Sequence, residues 1–244
     1  MSIKRRLAQL ANICIRPLGA ELVSRAAILS WQHFFDQAKR YKFEPKTVFD
    51  VGVAYGTPWL YEAFPHASYF LIDPLREALP HMERIKKSLN ATILNVALGE
   101  SAGIVNIEAR ENIRGSTIFA QEGEADSRLL SCYPVEVKRL DEIVPAFPTP
   151  ALCKIDVQGA ELGVLKGMSG IMAQLDVVIV ECHTLPTLRG IPEAAEVIHL
   201  MNEYGFCIYD VAFIGRRPLD GATAELDVVF VKKDSVFRSD HRWR

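Results

Sequence analysis

Several common signatures are missing from this 244-residue chain, and each absence narrows its class. The five cysteines (Cys14, Cys132, Cys153, Cys182 and Cys207) are odd in number and form no C-x-x-C pair. That argues against a disulfide framework and predicts a reducing, cytoplasmic compartment. No run of ~20 apolar residues occurs, so no helix is expected to span a bilayer. Positive charge is not in excess: 28 basic and 30 acidic side chains leave a net −2. No global field therefore holds a polyanion, and a nucleic-acid partner is not expected. Neither G-x-G-x-x-G nor G-x-x-x-x-G-K-[ST] is found, which argues against a dinucleotide pyrophosphate seat and a P-loop. There is no internal repeat and no low-complexity tract. With 49% apolar and 24% charged residues, what remains is an ordinary globular composition.

The chain opens with Ile3, Leu7, Leu10 and Cys14 at helical spacing, stopped by Pro17 and Gly19. A second such stripe, Leu22, Ala26, Leu29 and His33, predicts a helix running to about Tyr41. Lys4, Arg5, Arg6 and Arg16 face no acid within the first twenty residues. This extension is expected to cap the main domain, with weak peripheral contact to an anionic membrane as the alternative. Its basic start resembles a secretion signal, but Gln9 and Asn12 interrupt it and no small-residue cleavage site follows, so it is expected to be retained.

From Thr47 the rhythm changes. Short β-rich runs at 47–51, 69–73, 91–96, 151–157, 176–182, 206–213 and 226–231 alternate with helical segments near 75–89, 159–168 and 192–203. Continuous apolar strands separated by helices predict an α/β fold, a parallel sheet covered on both faces. The short link between the last two runs predicts an antiparallel pair at one edge. Runs 104–109 and 133–137 look like paired strands around a long polar connection carrying Ser116 and Thr117, which could form a lid. The expected division is a helical extension at 1–43, a main domain at 44–234 and a tail at 235–244, where Arg238 and Arg242, with Arg216 and Arg217 before them, leave a basic patch.

In an open α/β sheet, ligands bind beyond the carboxyl ends of the strands. The first strand carries Asp50 and runs into Gly52-Val53-Ala54-Tyr55-Gly56-Thr57, where Gly52 permits a tight turn and Gly56 a close backbone approach. Asp73 ends the second run, twenty-one residues after Gly52. A carboxylate there can accept hydrogen bonds from both hydroxyls of a ribose, unless it only caps the next helix. Without a pyrophosphate seat, the adenosine ligand this favours is S-adenosylmethionine. Asp156, Glu181 and His183 lie at the next strand ends and could form a base cluster or a shell for a divalent metal, although no dedicated metal spacing is present. A carboxylate beside His183 is expected to raise its basicity. The competing readings are a helix cap for Asp156, a first-turn carboxylate favoured by the helix dipole for Glu161, an exposed His183, and a Glu181 that pairs with Lys154. Lys154, if buried, needs an anionic partner. Trp59 reads as core.

The run Ile155-Asp156-Val157-Gln158-Gly159-Ala160-Glu161-Leu162, followed by Leu165-Lys166-Gly167, resembles the central motif of the FkbM family of S-adenosylmethionine-dependent methyltransferases. The likeness extends through Val48 to Gly52, Asp73-Pro74, Asn95 to Gly99, Val137 to Ile143, Val180-Glu181 and Asp227 to Val231, covering residues 44–232. One departure is the first loop: the family usually has Gly-Ala-Asn-x-Gly, whereas this chain has Gly52-Val53-Ala54-Tyr55-Gly56. Tyr55 or Thr57 would have to supply the missing polar contact. The resemblance implies a Rossmann-like class I fold, with a seven-stranded, mostly parallel sheet whose last strand is antiparallel. It implies O-methyl transfer to a hydroxyl, commonly of a sugar or natural product. Cofactor contacts are then expected from Asp50, Gly52, Tyr55, Gly56, Thr57, Asp73, Asn95 and Ala97, and catalytic ones from Asp156, Glu181 and His183. The competing functions are a methyltransferase-like scaffold without catalysis and, against the missing glycine motif, a nicotinamide-dependent oxidoreductase.

Overall fold

The structure, a computed structural model, describes residues 30–119 and 129–242. Seven strands form the main sheet: β1 (Thr47–Val51), β2 (Ser68–Ile72), β3 (Ala91–Leu94), β7 (Ala151–Ile155), β8 (Val177–His183), β9 (Phe206–Arg216) and β10 (Thr223–Lys232). Their order is β3-β2-β1-β7-β8-β10-β9. The pairs among β3, β2, β1, β7 and β8 are parallel, and β10 runs antiparallel to both β8 and β9. This is the expected α/β architecture, with the last strand inserted against the direction of the others.

Every residue of β1, β7 and β8 is buried, because a central strand is covered on both sides, and most of these residues are apolar. Successive side chains point to opposite faces. Val48, Leu152 and Ile179 thus feed one core layer, while Phe49, Val51, Cys153 and Ile155 feed the other. Between the strands run α2 (Pro58–Ala63), α3 (Leu79–Lys86), α5 (Glu161–Lys166) and α6 (Ala194–Glu203), with one-turn α4 at Leu140–Ile143. The helix expected over 75–89 is shorter, because Asp73 holds residues 74 and 75 in a turn. Asp73 itself lies one residue beyond β2, which ends at Ile72.

The 103–138 region folds as expected into a hairpin, β5 (Gly103–Arg110) against β6 (Leu129–Lys138), with β4 (Ala97–Leu98) added alongside β6. Helix α1 (Trp31–Arg40) buries Phe34, Phe35 and Ala38, and Phe34 stacks on Phe237 from the opposite end of the chain. Both flanks of the main domain therefore share its core. The first expected helix, Cys14 and the basic segment at Lys4–Arg6 lie outside the described residues. Among the described residues no helix is long and apolar enough to cross a membrane.

The strand order reverses between β1 and β7. Their register pairs Asp50 with Lys154 and Val51 with Ile155, so Gly52 and Asp156 leave the sheet side by side. That is where a doubly wound sheet opens a crevice.

Candidate active site

A cavity of about 550 Å³ occupies this crevice. Its floor begins at Gly52, whose φ is +80°. A Cβ at this position would overlap the Asp156 carbonyl, so only glycine allows the two loops to touch. Ala54 follows at φ +46°, a left-handed conformation uncommon for a residue with a side chain. That turn aims the Ala54 N–H at Asp73, donating to Oδ2 at 2.8 Å. The other oxygen, Oδ1, accepts from the Leu75 N–H at 2.9 Å. Since α3 begins only at Leu79, this is a turn and not the helix cap considered above. Asp73 is 3% exposed, and burial pushes its pKa up to about 6 despite the two backbone donors.

Of the sequence-predicted residues, Gly52, Gly56, Thr57, Asp73, Ala97, Asp156 and Glu181 line the cavity. The other four stand behind its wall. Asp50 is fully buried and accepts from Thr57 Oγ1 at 3.1 Å and from the Tyr61 hydroxyl at 2.5 Å. The Tyr55 hydroxyl meets the Glu111 carbonyl and the Ile113 N–H, tying the floor to the segment above it. Asn95 donates to the carbonyls of Asp73 and Leu75 at 2.7 and 3.3 Å, which steadies the acidic turn. His183 ends β8, 4% exposed.

Lys154 is buried and has the anionic partners it requires: Asp156 at 3.1 Å and Asp50 at 3.8 Å. Burial disfavours its charge, but the two carboxylates outweigh that and raise its pKa. Glu181 is therefore not the ion-pair partner of Lys154. Nor does Asp156 cap a helix, since α5 is preceded at its cap position by Ala160. Burial works to raise Asp156, yet Lys154 and a 3.0 Å hydrogen bond from Gln158 hold it below the carboxylate range. Glu181 behaves oppositely. Burial, together with the charges of Asp156, Glu225, Glu161 and Asp227, pushes it well above that range. The same causes, burial first and Asp156 second, carry Asp227 up to about 7.

The expectation for His183 is reversed. Burial lowers its pKa and the charge of Asp156 does not compensate, where a raised basicity was expected. It is also not the exposed loop residue of the alternative reading. Glu161 accepts from the Val157 and Gly159 N–H groups at 3.0 and 3.1 Å, closing the turn that leads into α5.

Sequence reasoning missed Gln158, Glu225, Asp227 and Trp31, all on the cavity wall. Glu225 and Asp227 are opposite His183 and Glu181 in the β10–β8 register; two acids spaced i, i+2 at the head of an apolar strand were the available signal. Trp31 and Trp59 stack with centroids 3.8 Å apart and planes 14° off parallel, so Trp59 belongs to the cavity wall as well as to the core. Overhead, Ser116 and Thr117 also face the cavity. Thr117 Oγ1 donates to the Gln158 carbonyl at 2.7 Å.

A mostly parallel sheet with one reversed strand, and an acid-rich cleft over its switch point, define a Rossmann-like α/β class with its ligand site at the strand ends. Residues 50–208 match the family described as Methyltransferase FkbM domain, and the chain belongs to it. The protein is a methyltransferase of FkbM type. It is 27% identical over 183 residues to the hexuronic acid methyltransferase AglP of Haloferax volcanii, spanning 72% of this chain and 73% of that one. Among solved structures, precorrin-6y C5,15-methyltransferase of Geobacter metallireducens is similar at 12% identity and a TM-score of 0.44, covering 86% of this chain and 92% of that chain. The N-methyltransferase NodS of Bradyrhizobium japonicum WM9, in complex with S-adenosyl-L-homocysteine, is similar at 12% identity and a TM-score of 0.45, covering 83% and 87%.

Proposed function

We propose that this protein transfers the methyl group of S-adenosylmethionine to a hydroxyl of a sugar or natural-product acceptor. The observation that carries the reading is Asp73. Each of its oxygens already holds one backbone N–H, which leaves a second acceptor site on each for the paired hydroxyls of a ribose. The cavity fits the rest of the cofactor in charge. Asp73, Asp156, Glu181, Glu225 and Asp227 line it against the cations Arg114 and Lys154, a surplus of carboxyl groups that suits a ligand carrying sulfonium and ammonium groups.

When bound, S-adenosylmethionine supplies a methyl group already activated by positive sulfur. The chain's own residues have to bind, orient and desolvate. Gly52 and Gly56 line the floor, where a Cβ would strike the Asp156 carbonyl or Ile85, and Ala97 borders the same space. Asp156, kept ionised by Lys154, is the acceptor-side carboxylate that receives a hydrogen bond from the hydroxyl and takes its proton. Glu181, raised by burial and its acidic neighbours, is less suited than Asp156 to be the charged acceptor-side group. Most of the rate then comes from alignment of hydroxyl, methyl and sulfur.

A sugar acceptor is supported by the Trp31–Trp59 stack on the wall, since aromatic faces pack against the apolar side of a pyranose, and by the activity named for the relative AglP. The test is calorimetric titration with S-adenosylhomocysteine, followed by mass spectrometry of a hydroxyl-acceptor panel. Wild-type protein binds, and Asp73→Ala weakens binding by about tenfold or more, a loss of about 1.4 kcal/mol. Equal affinity in the variant removes the assignment.

A further inference from the structure

A second cluster lies just behind the cavity wall. Glu161 is the first residue of α5, while Glu181 and His183 are alternate residues of β8 and so project to the same face. All three are buried, at 1%, 8% and 4% exposure. One ligand atom from each lies within 4.8 Å of the others. His183 Nε2 is 3.8 Å from Glu181 Oε2 and 4.0 Å from Glu161 Oε2. Among the described residues this Nε2 is a buried side-chain nitrogen with no hydrogen-bond partner. A buried polar atom ordinarily finds one.

From this geometry we infer that Glu161, Glu181 and His183 bind a divalent first-row transition-metal ion. The distances fit an ion better than a direct contact. At 3.8 and 4.0 Å the imidazole nitrogen is too far from either carboxylate for a hydrogen bond. Two ligand atoms of a tetrahedral ion at about 2.1 Å stand about 3.4 Å apart, so small rotations of the three side chains close the cluster around an ion. One nitrogen with two carboxylates favours zinc, manganese or iron over magnesium and calcium, which prefer all-oxygen shells. The ligands are also braced from behind, as metal ligands usually are. Glu161 accepts from the Val157 and Gly159 N–H groups, and Gln158 Nε2 donates to Glu181 Oε2 at 2.6 Å. Three protein ligands leave a coordination position open.

Metal binding at this cluster stands apart from the identity of the cavity's ligand. Its consequence for turnover rests on the methyl-transfer reading: Glu181 also lines the cavity, so the ion lies one carboxylate away from the cleft and offsets part of its negative charge.

The test uses the full chain, stripped with EDTA and titrated with Zn2+, Mn2+ and Co2+. One equivalent of Zn2+ or Mn2+ binds, and the Co2+ form shows visible absorption bands of nitrogen and oxygen ligation. His183→Asn and Glu161→Gln each weaken Zn2+ binding by more than about 100-fold, beyond what loss of a supporting contact causes. Where a variant fails to fold, the wild-type Co2+ spectrum decides, because it needs no substitution. Absence of stoichiometric binding of all three ions to wild-type protein, or unchanged Zn2+ affinity in folded His183→Asn, overturns the inference. S-adenosylhomocysteine is titrated separately into the stripped protein. Its binding without metal uptake removes the metal site alone, and metal uptake without its binding removes the cofactor reading alone.

Discussion

The backbone N–H of Ala54 donates to Asp73 Oδ2 at 2.8 Å, so the loop after the first strand and the acid after the second are one unit. The left-handed turn at Ala54 is what aims the donor. The contact also explains how Asp73 remains at the cavity with its carboxylate edge presented, although almost none of the residue meets solvent.

Ligand affinity should depend on pH through this residue. Burial lifts Asp73 to about 6, and only the ionised form accepts from two hydroxyls at once. Calorimetry with S-adenosylhomocysteine is expected to show binding weakening as pH falls through 6, while Asp73→Asn binds weakly with no such step. The linkage for the unliganded fold has the opposite sense. A carboxylate raised from 3.8 contributes stability that is complete below about pH 4 and lost as pH rises through the folded value. Wild-type affinity that stays level from about pH 5 to 8 would count against the diol contact.

Gly52→Ala tests the contact between the two loops. It adds a side chain at φ +80° against the Asp156 carbonyl, and strain plus overlap should cost about 3 kcal/mol in urea unfolding. Gly221→Ala is the control, with φ +75° and open space around its Cβ. It should cost about 1 to 2 kcal/mol, the left-handed penalty alone. Equal losses in the two variants would mean that the Asp156 contact carries no weight.

Lys154→Met leaves Asp50 and Asp156 without their common cation. Removing one member of a buried ion cluster typically costs about 3–5 kcal/mol. The loss should shrink towards acid pH, because both carboxylates can then take up protons. Chemical denaturation at two pH values reads both effects, and a variant as stable as wild type at neutral pH refutes the pairing argument.

Trp59→Ala should separate acceptor from cofactor. With its partner stack at Trp31 broken, the acceptor KM should rise about tenfold, while S-adenosylhomocysteine affinity stays within about twofold. A matching fall in both affinities would make Trp59 a support for the whole cleft.

Much of the fold was legible because the central strands are buried on both faces. Residues 47–51, 151–155 and 177–183 stand out as apolar runs for that reason, and the motif from Ile155 to Leu162 marks the loop beside Gly52. Boundaries were less legible: the turn held by Asp73 precedes α3, which starts at Leu79, and helical spacing of apolar residues does not register such a side-chain-to-backbone contact. The electrostatics of the cleft were least legible. Burial lowers His183 and raises Glu181, and the acids Asp156, Glu225, Glu161 and Asp227 push Glu181 further up. No local pattern reveals that β10 inserts next to β8 and brings Glu225 and Asp227 opposite.

Where the backbones at 52 and 156 meet, there is no slack for an added residue on either side. Insertions that change acceptor preference are better placed on the rim of residues 111–119, where Glu111, Asn112, Arg114 and Ile118 are exposed. An engineer seeking a new substrate would graft that rim and leave the two touching turns alone.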